Sequence, residues 1–394
     1  MLGAGATAAI STGSTTFPTA ENFFCSNNEW NEHLKCCPHL SLICNTIGRF
    51  ENQINLTNTW LFIDTLLKYH LSTRCSRPDI SAYNSELLRL RYKNSGQDFP
   101  NYLTLEYLNK NYNDLCNGMH PLFSISGKQI YDISDRSDPV SYFLVLAGWE
   151  LKYLTYKTYS PHKKTNELYF KLLQKLQAKN ISVISFNYDI YFEQACKIAD
   201  WSLQLDVDEM KSDKNDKDVT YICKPHGGWN IRHINDSVEP CCNLWESVED
   251  SSFDKKQDIE ERPAMIPYFS NPDEIEKLHG YVFANVGEYF KKQHEVMIKM
   301  FKNADKIVSI GYSFSEDDKH VRKAIENCGQ NRKEKKLFCV LKESDDDKAA
   351  EFGCSIKKLF DFTNEYANNF KYCGNGFNND SIKEIAKFFK EDMK

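Results

Sequence analysis

The chain has 14 cysteines but no C-x-x-C pair, so the paired thiolate spacing of a zinc ribbon or a dithiol redox motif is missing. It has no apolar run near the ~18 residues that a membrane span needs, and no signal-peptide pattern. It has no excess of positive charge: 49 basic against 55 acidic residues give a net charge of −6, which argues against a dedicated nucleic-acid binder. It has no internal repeat. These absences leave a cytoplasmic protein with free thiols as the expectation. One cluster, His33, Cys36, Cys37, His39 and Cys44, carries metal-ligating residue types. Adjacent cysteines and a lone C-x-H spacing do not make a four-ligand pattern, so they are read as packing and no metal is expected.

What is present is a set of short apolar strands that end in polar or small residues. Ile181 to Asp189 (ISVISFNYD) is too short and too β-branched for a helix, and it closes in Asn187, Tyr188 and Asp189. Val219 to Cys223 runs into Lys224, Pro225, His226, Gly227 and Gly228. Lys306 to Ile310 runs into Gly311, Tyr312 and Ser313. In an open α/β sheet the carboxyl ends of the strands are where ligands bind, so three such strands predict one crevice built from three loops.

Helical patterns alternate with these strands over Tyr191–Ala199, Phe283–Phe301 and Asp318–Asn327, and Lys336–Leu341 is a further strand. The alternation predicts an α/β fold with a doubly wound, mostly parallel sheet. From about 46 to 175 the pattern is helical, with Trp60–Tyr69 and Asn166–Leu176 as its clearest segments, and reads as a large helical insertion. Residues 234–262 read as a polar, mobile excursion. Phe370–Cys373, a Gly-Asn-Gly turn and a helix over Ile382–Met393 close the chain. The predicted organisation is therefore a Rossmann-like core over 1–45 and 176–350, the insertion over 46–175, and a carboxyl-terminal extension over 351–394 packed on the core.

The amino terminus goes from Met1-Leu2 straight into Gly3-Ala4-Gly5-Ala6-Thr7. A phosphate-binding glycine turn normally follows a strand and opens a helix. Either the start lies upstream or the first strand is very short. Gly3 and Gly5 can take φ > 0 and let backbone N–H groups approach a pyrophosphate. A polar, mobile tail is the alternative.

Four motifs stand in a fixed order: GAGAT at Gly3, SFNYD at Ser185, KPHGG at Lys224 and IGYSFSEDD at Ile310. Together they resemble the sirtuin family, and more closely its NAD-hydrolysing branch found in bacterial anti-phage defence. The resemblance covers about 1–45 and 176–345. It implies that Asn187 positions the ribose and the attacking water, that Asp189 contacts the nicotinamide carboxamide, and that His226 is the catalytic histidine. It implies a pyrophosphate turn at Gly3, Ala4, Gly5 and Thr7, and an adenosine-binding loop at Gly311, Tyr312 and Ser313. Two departures from the family's deacylases matter: the zinc ribbon is missing, and Phe17-Pro18-Thr19 replaces the run that follows the glycine turn. Both point to hydrolysis of NAD itself.

The resemblance thus implies an NAD glycohydrolase with NAD as substrate, acting as an NAD-depleting effector in abortive infection. It further implies a homo-oligomer held in check by a partner such as a HerA-like ATPase or another phage sensor, with no direct contact to nucleic acid or membrane. A non-catalytic module that binds NAD or ADP-ribose, and a deacylase without the zinc ribbon, are the rival readings. The acids Glu316, Asp317 and Asp318 open a helix, where the macrodipole alone favours them; a ribose contact is the alternative.

Overall fold

Two sets of parallel strands meet at the first three residues of the chain. The computed structural model describes residues 1–9, 23–24, 34, 37–48, 54–73, 106–111, 143–144, 147–148, 150–151, 154, 167–176, 181–204, 219–234, 237–240, 263–265, 286–314, 318–342, 346–362 and 364–390. The chain divides into two compact units, one of Met1–Phe17, Tyr159–Pro272 and Asn285–Lys394, the other of Pro18–Thr158 and Asp273–Ala284.

In the first unit, helix α1 (Ala4–Ala9) is followed by α2 (Glu167–Leu176), strand β1 (Ser182–Ile184), α3 (Tyr191–Ile198), β2 (Ser202–Gln204), β3 (Val219–Cys223), β4 (Gly227–Ile234), β5 (Ser237–Pro240) and β6 (Pro263–Met265). Then come α4 (Val286–Asn303), β7 (Lys306–Ile310), α5 (Lys319–Glu326), β8 (Lys336–Val340), α6 (Asp346–Phe360), β9 (Phe370–Cys373) and α7 (Asn379–Lys390). One sheet has the order β1-β3-β2 and another β7-β8-β9, and every pairing in both is parallel. Leu2 forms parallel bridges to both Ser185 and Ile310. Its N–H donates to the Ile184 carbonyl at 2.9 Å, its own carbonyl accepts from Phe186 N at 2.9 Å, and Gly3 N donates to the Ile310 carbonyl at 2.9 Å. Met1 to Gly3 thus bridges the two sheets in parallel.

Strand alternation sets the packing. On β8, Leu337 and Cys339 join a buried cluster with Met297, Met300 and Phe301 of α4, Val321 and Ile325 of α5, and Ile356 and Phe360 of α6. Phe338 points the other way and meets Phe388 of α7, ring centroids 5.7 Å apart. The chain is therefore of mixed helix and parallel-strand type, an α/β arrangement.

The structure differs from the sequence reading in three places. Residues 351–394, expected to pack on the core as an extension, add β9 to its sheet, because the carbonyls and amides along the free edge of β8 need a partner strand. Helix α2, assigned above to the insertion, belongs to the first unit: its apolar stripe of Tyr169, Leu172 and Leu173 is buried, and Tyr169 meets Phe192 of α3 and Phe377 with centroids 5.6 and 5.5 Å away. Within 234–262, read as an excursion, β5 pairs antiparallel with β4 (Ile234 opposite Ser237); just beyond that range, β6 pairs with β4 on its other edge. The Ser212–Lys217 loop and all of 241–262 lie outside the described residues.

The second unit contains the helices Pro38–Ile47 and Leu56–Thr73. Leu40, Ile43, Cys44 and Ile47 form the buried stripe of the first. Glu150 caps its start, accepting from Leu40 N at 2.7 Å and meeting His39 Nδ1 at 2.6 Å. Among the described residues no helix is long and apolar enough to cross a membrane.

The glycine turn and the β7 loop interlock. Gly5 N donates to the Gly311 carbonyl at 3.0 Å, and a Cβ on Gly311 would overlap the Ala6 amide nitrogen. Gly311 also sits at φ +65. Gly311→Ala is expected to lower stability by about 3 kcal/mol or more, combining about 1–2 kcal/mol for the left-handed backbone with steric overlap. Gly329, at φ +61 with nothing within 4 Å of an added Cβ, is the control: Gly329→Ala should lose only about 1–2 kcal/mol. Denaturant midpoints of the two variants check this, and equal losses would refute the interlock.

Candidate functional site

The parallel register between β1 and β3 decides where the polar strand ends go. Ile184 pairs with Cys223, so Asn187 and His226 each lie three residues past a paired position, at the same rim of the sheet. The two loops touch. The Phe186 ring lies 5.2 Å from the His226 ring, centroid to centroid. Lys224 Nζ donates to the Asp189 carbonyl at 2.7 Å and to Glu193 Oε1 of α3 at 2.8 Å. Both Lys224 and Glu193 are 1% exposed. A Cβ on Gly228 would lie 2.5 Å from Lys224 Cε and 2.9 Å from the Tyr188 carbonyl, so the KPHGG loop can fold over the lysine only with glycine there. Helix α4 closes the site from another side: Gln293 Oε1 accepts from Lys224 N at 2.9 Å, and the Gln293 carbonyl accepts from Cys223 Sγ at 3.1 Å.

Asn187 and His226 are both buried, at 6% and 1% exposure. Asp189 Oδ1 accepts from Tyr191 N at 3.2 Å, so this carboxylate holds the first amide of α3 as well as standing at the rim. The Gly311-Tyr312-Ser313 loop arrives from β7. Its tyrosine ring stacks on Phe186 with centroids 4.3 Å apart and planes at 17°, and its hydroxyl donates to Asp318 Oδ2. That ring is committed to packing, while Ser313 is exposed. In the glycine turn, the amides of Gly3 and Gly5 donate to the carbonyls of Ile310 and Gly311, and neither glycine is among those with positive φ. Close packing against the β7 loop, where a Cβ on Gly3 would lie 2.5 Å from the Gly311 carbonyl, explains both glycines. Ala4 and Thr7 belong to α1; their side chains, like Glu316 and Asp317, lie outside the described residues.

Two histidines that no motif marked stand beside His226. His226 Nε2 and His320 Nε2 are 3.1 Å apart. His294, on α4, has its ring centroid 4.7 Å from that of His320, and its Nδ1 lies 2.7 Å from the Phe290 carbonyl, which requires the proton on Nδ1. Burial pushes the His226 pKa from the usual 6.5 down to about 3, the neighbouring His294 pushes the same way, and the backbone of Phe186 acts against them. The imidazole is therefore neutral at physiological pH.

This shift has a sign that can be tested. Below pH 6.5 the unfolded chain takes up a proton on His226 that the folded chain refuses until about pH 3. Stability from this group is complete above 6.5 and is lost as pH falls towards 3, with a slope of up to about 1.4 kcal/mol per pH unit. His226→Gln should flatten the acid side of a plot of unfolding free energy against pH; an unchanged slope would show that this imidazole titrates normally.

Among the described residues, His226, Asp318 and His320 are the group of three metal-ligating types gathered closely enough to hold an ion, with one ligand atom from each inside 4.8 Å. In the His33–Cys44 cluster, Cys44 is buried with its thiol pushed up to about 12 by burial, and Cys37 is buried; His33 and Cys36 lie outside the described residues. The thiols of Cys196, Cys223 and Cys339 are likewise pushed up by burial and behave as packing groups. In comparisons with known proteins, no family model matches this chain, and no curated protein matches it at a significant level.

Proposed function

We propose that this chain hydrolyses NAD to ADP-ribose and nicotinamide, on a Rossmann-like, doubly wound sheet whose strand ends form the substrate crevice. The observation that carries the reading is the meeting of the SFNYD and KPHGG loops at one rim, with the Phe186 and His226 rings 5.2 Å apart and Lys224 tied to the Asp189 carbonyl. An amide and a neutral imidazole suit this reaction. The bond between the ribose C1′ and the pyridinium nitrogen breaks, its electron pair leaves with neutral nicotinamide, and water bonds to C1′. The transition state is oxocarbenium-like, so positioning and charge stabilisation matter more than a strong acid.

Asn187 orients the ribose hydroxyls and the attacking water without adding positive charge. His226, which burial keeps neutral, accepts a hydrogen bond and then a proton from that water or a hydroxyl. Substrate entry exchanges the His226–His320 contact for one to the sugar. Asp189 steadies the loop and stands where a carboxamide would be met.

By the same reading the protein drains NAD in an anti-phage response, as a homo-oligomer restrained by a partner such as a HerA-like ATPase. The test is direct: purified chain, with and without a candidate partner, incubated with NAD while ADP-ribose and nicotinamide are quantified. Stoichiometric release of both supports the reading. No release under any partner condition, together with measurable NAD or ADP-ribose binding, would favour a non-catalytic module.

A further inference from the structure

We propose that His226, His320 and Asp318 form a binding site for a single zinc-class divalent transition-metal ion, and that occupancy of this site switches the rim off. The switching half rests on the reading of His226 as a catalytic group; the binding half does not.

The geometry argues for it. Two imidazole Nε2 atoms face each other at 3.1 Å. An ion placed at the usual ~2.0–2.1 Å from both would subtend an N–metal–N angle of about 100°, acceptable for four-, five- or six-coordinate sites. The Asp318 carboxylate, at the start of α5 and two residues before His320, supplies a third ligand within 4.8 Å. Four-coordinate zinc spaces its ligand atoms by roughly 3.3 Å, so the carboxylate needs to move by about 1–1.5 Å. Its orientation is already supported from behind by the Tyr312 hydroxyl on Oδ2.

The proton count argues the same way. Without an ion, one of the two facing nitrogens must carry a proton and the other must not. His226 is buried, and its Nδ1 makes no hydrogen bond of ordinary geometry, although the backbone of Phe186 favours a proton on the ring. A proton on Nδ1 leaves Nε2 as a bare lone pair aimed at His320, which is how a histidine ligand is arranged. Two histidines and a carboxylate with a place left for water or another ligand suit zinc or cobalt better than magnesium or calcium, which prefer all-oxygen shells. An ion held between the two Nε2 atoms locks the contact that substrate entry must break, so metal and turnover compete.

The experiment uses the full chain freed of metal with a chelator and titrated with Co²⁺, whose visible absorption reports nitrogen and oxygen ligands. Wild type is expected to bind one equivalent, displaceable by Zn²⁺. His320→Gln should weaken binding at least about tenfold. His39→Gln, in the other unit, should leave it intact. No uptake by wild type, or equal uptake by wild type and His320→Gln, overturns the site. In parallel, NAD hydrolysis by the metal-free protein is followed as Zn²⁺ is added. Inhibition of wild type, relieved in His320→Gln relative to its own metal-free rate, supports the switch; equal inhibition of both overturns it. A metal-free protein that hydrolyses no NAD counts against the catalytic reading and with it the switch, while the Co²⁺ titration still decides the binding site.

Discussion

His226→Ala is expected to lower kcat/KM for NAD hydrolysis by about 10²–10⁴-fold, the usual contribution of one positioned acid or base. The Phe186 ring and the neighbouring imidazoles surround this side chain, so a truncated variant could also lose packing. For that reason His226→Gln is the better partner experiment: it keeps most of the volume and a polar atom but cannot take up a proton. Both variants should show native circular dichroism and the activity loss together. Asn187→Ala should lose about 10²–10³-fold, in the range seen when one preorganised dipole is removed. Wild-type rates in both His226→Gln and Asn187→Ala would remove the rim from the mechanism. The rate itself should be flat on the acid side down to about pH 5, since the imidazole, shifted to about 3 by burial, does not titrate there. An acid limb near 6.5 would mean that substrate entry hydrates the ring.

The second large effect is on stability. Lys224→Met should destabilise the fold by about 3–5 kcal/mol, because it removes the cation from a carboxylate, Glu193, that is 1% exposed. The measurement is the unfolding free energy from denaturant titration. The double variant Lys224→Met/Glu193→Leu should recover most of the loss, since a buried ion pair replaced as a whole by apolar groups is often neutral. It should not recover activity, because the Asp189 carbonyl still lacks the donor 2.7 Å away that ties the SFNYD loop down. A single variant as stable as wild type would mean that water reaches Glu193. Recovery of both stability and activity in the double variant would show that the tie to the Asp189 carbonyl is dispensable.

Some of this could be read from residues alone. The strands Val219–Cys223 and Lys306–Ile310 have the bounds that their β-branched runs predict. Asn187 and His226 were singled out by their place after such runs, and the register of β1 on β3 brings them to one rim. Local pattern suffices there, because strand periodicity and strand ends are properties of neighbouring residues. The glycines of GAGAT stand out in the sequence, but the pressure of the β7 loop on them does not, because a segment more than 300 positions away in the chain cannot be seen in a five-residue motif.

His294 and His320 left no signal of their own. One lies within a long amphipathic helix, the other at the second position of a polar helix start, and each looks like an ordinary surface or core residue until α4 and α5 fold beside the same strand ends. Lys224 read as one letter of a motif; its pairing with Glu193 required α3 to lie against the β3 loop. Local residue pattern was enough for the α/β type, the strand ends and the candidate amide and imidazole. Tertiary structure alone decided what surrounds that imidazole, and so its charge, because desolvation and neighbouring rings depend on which distant segments are folded together.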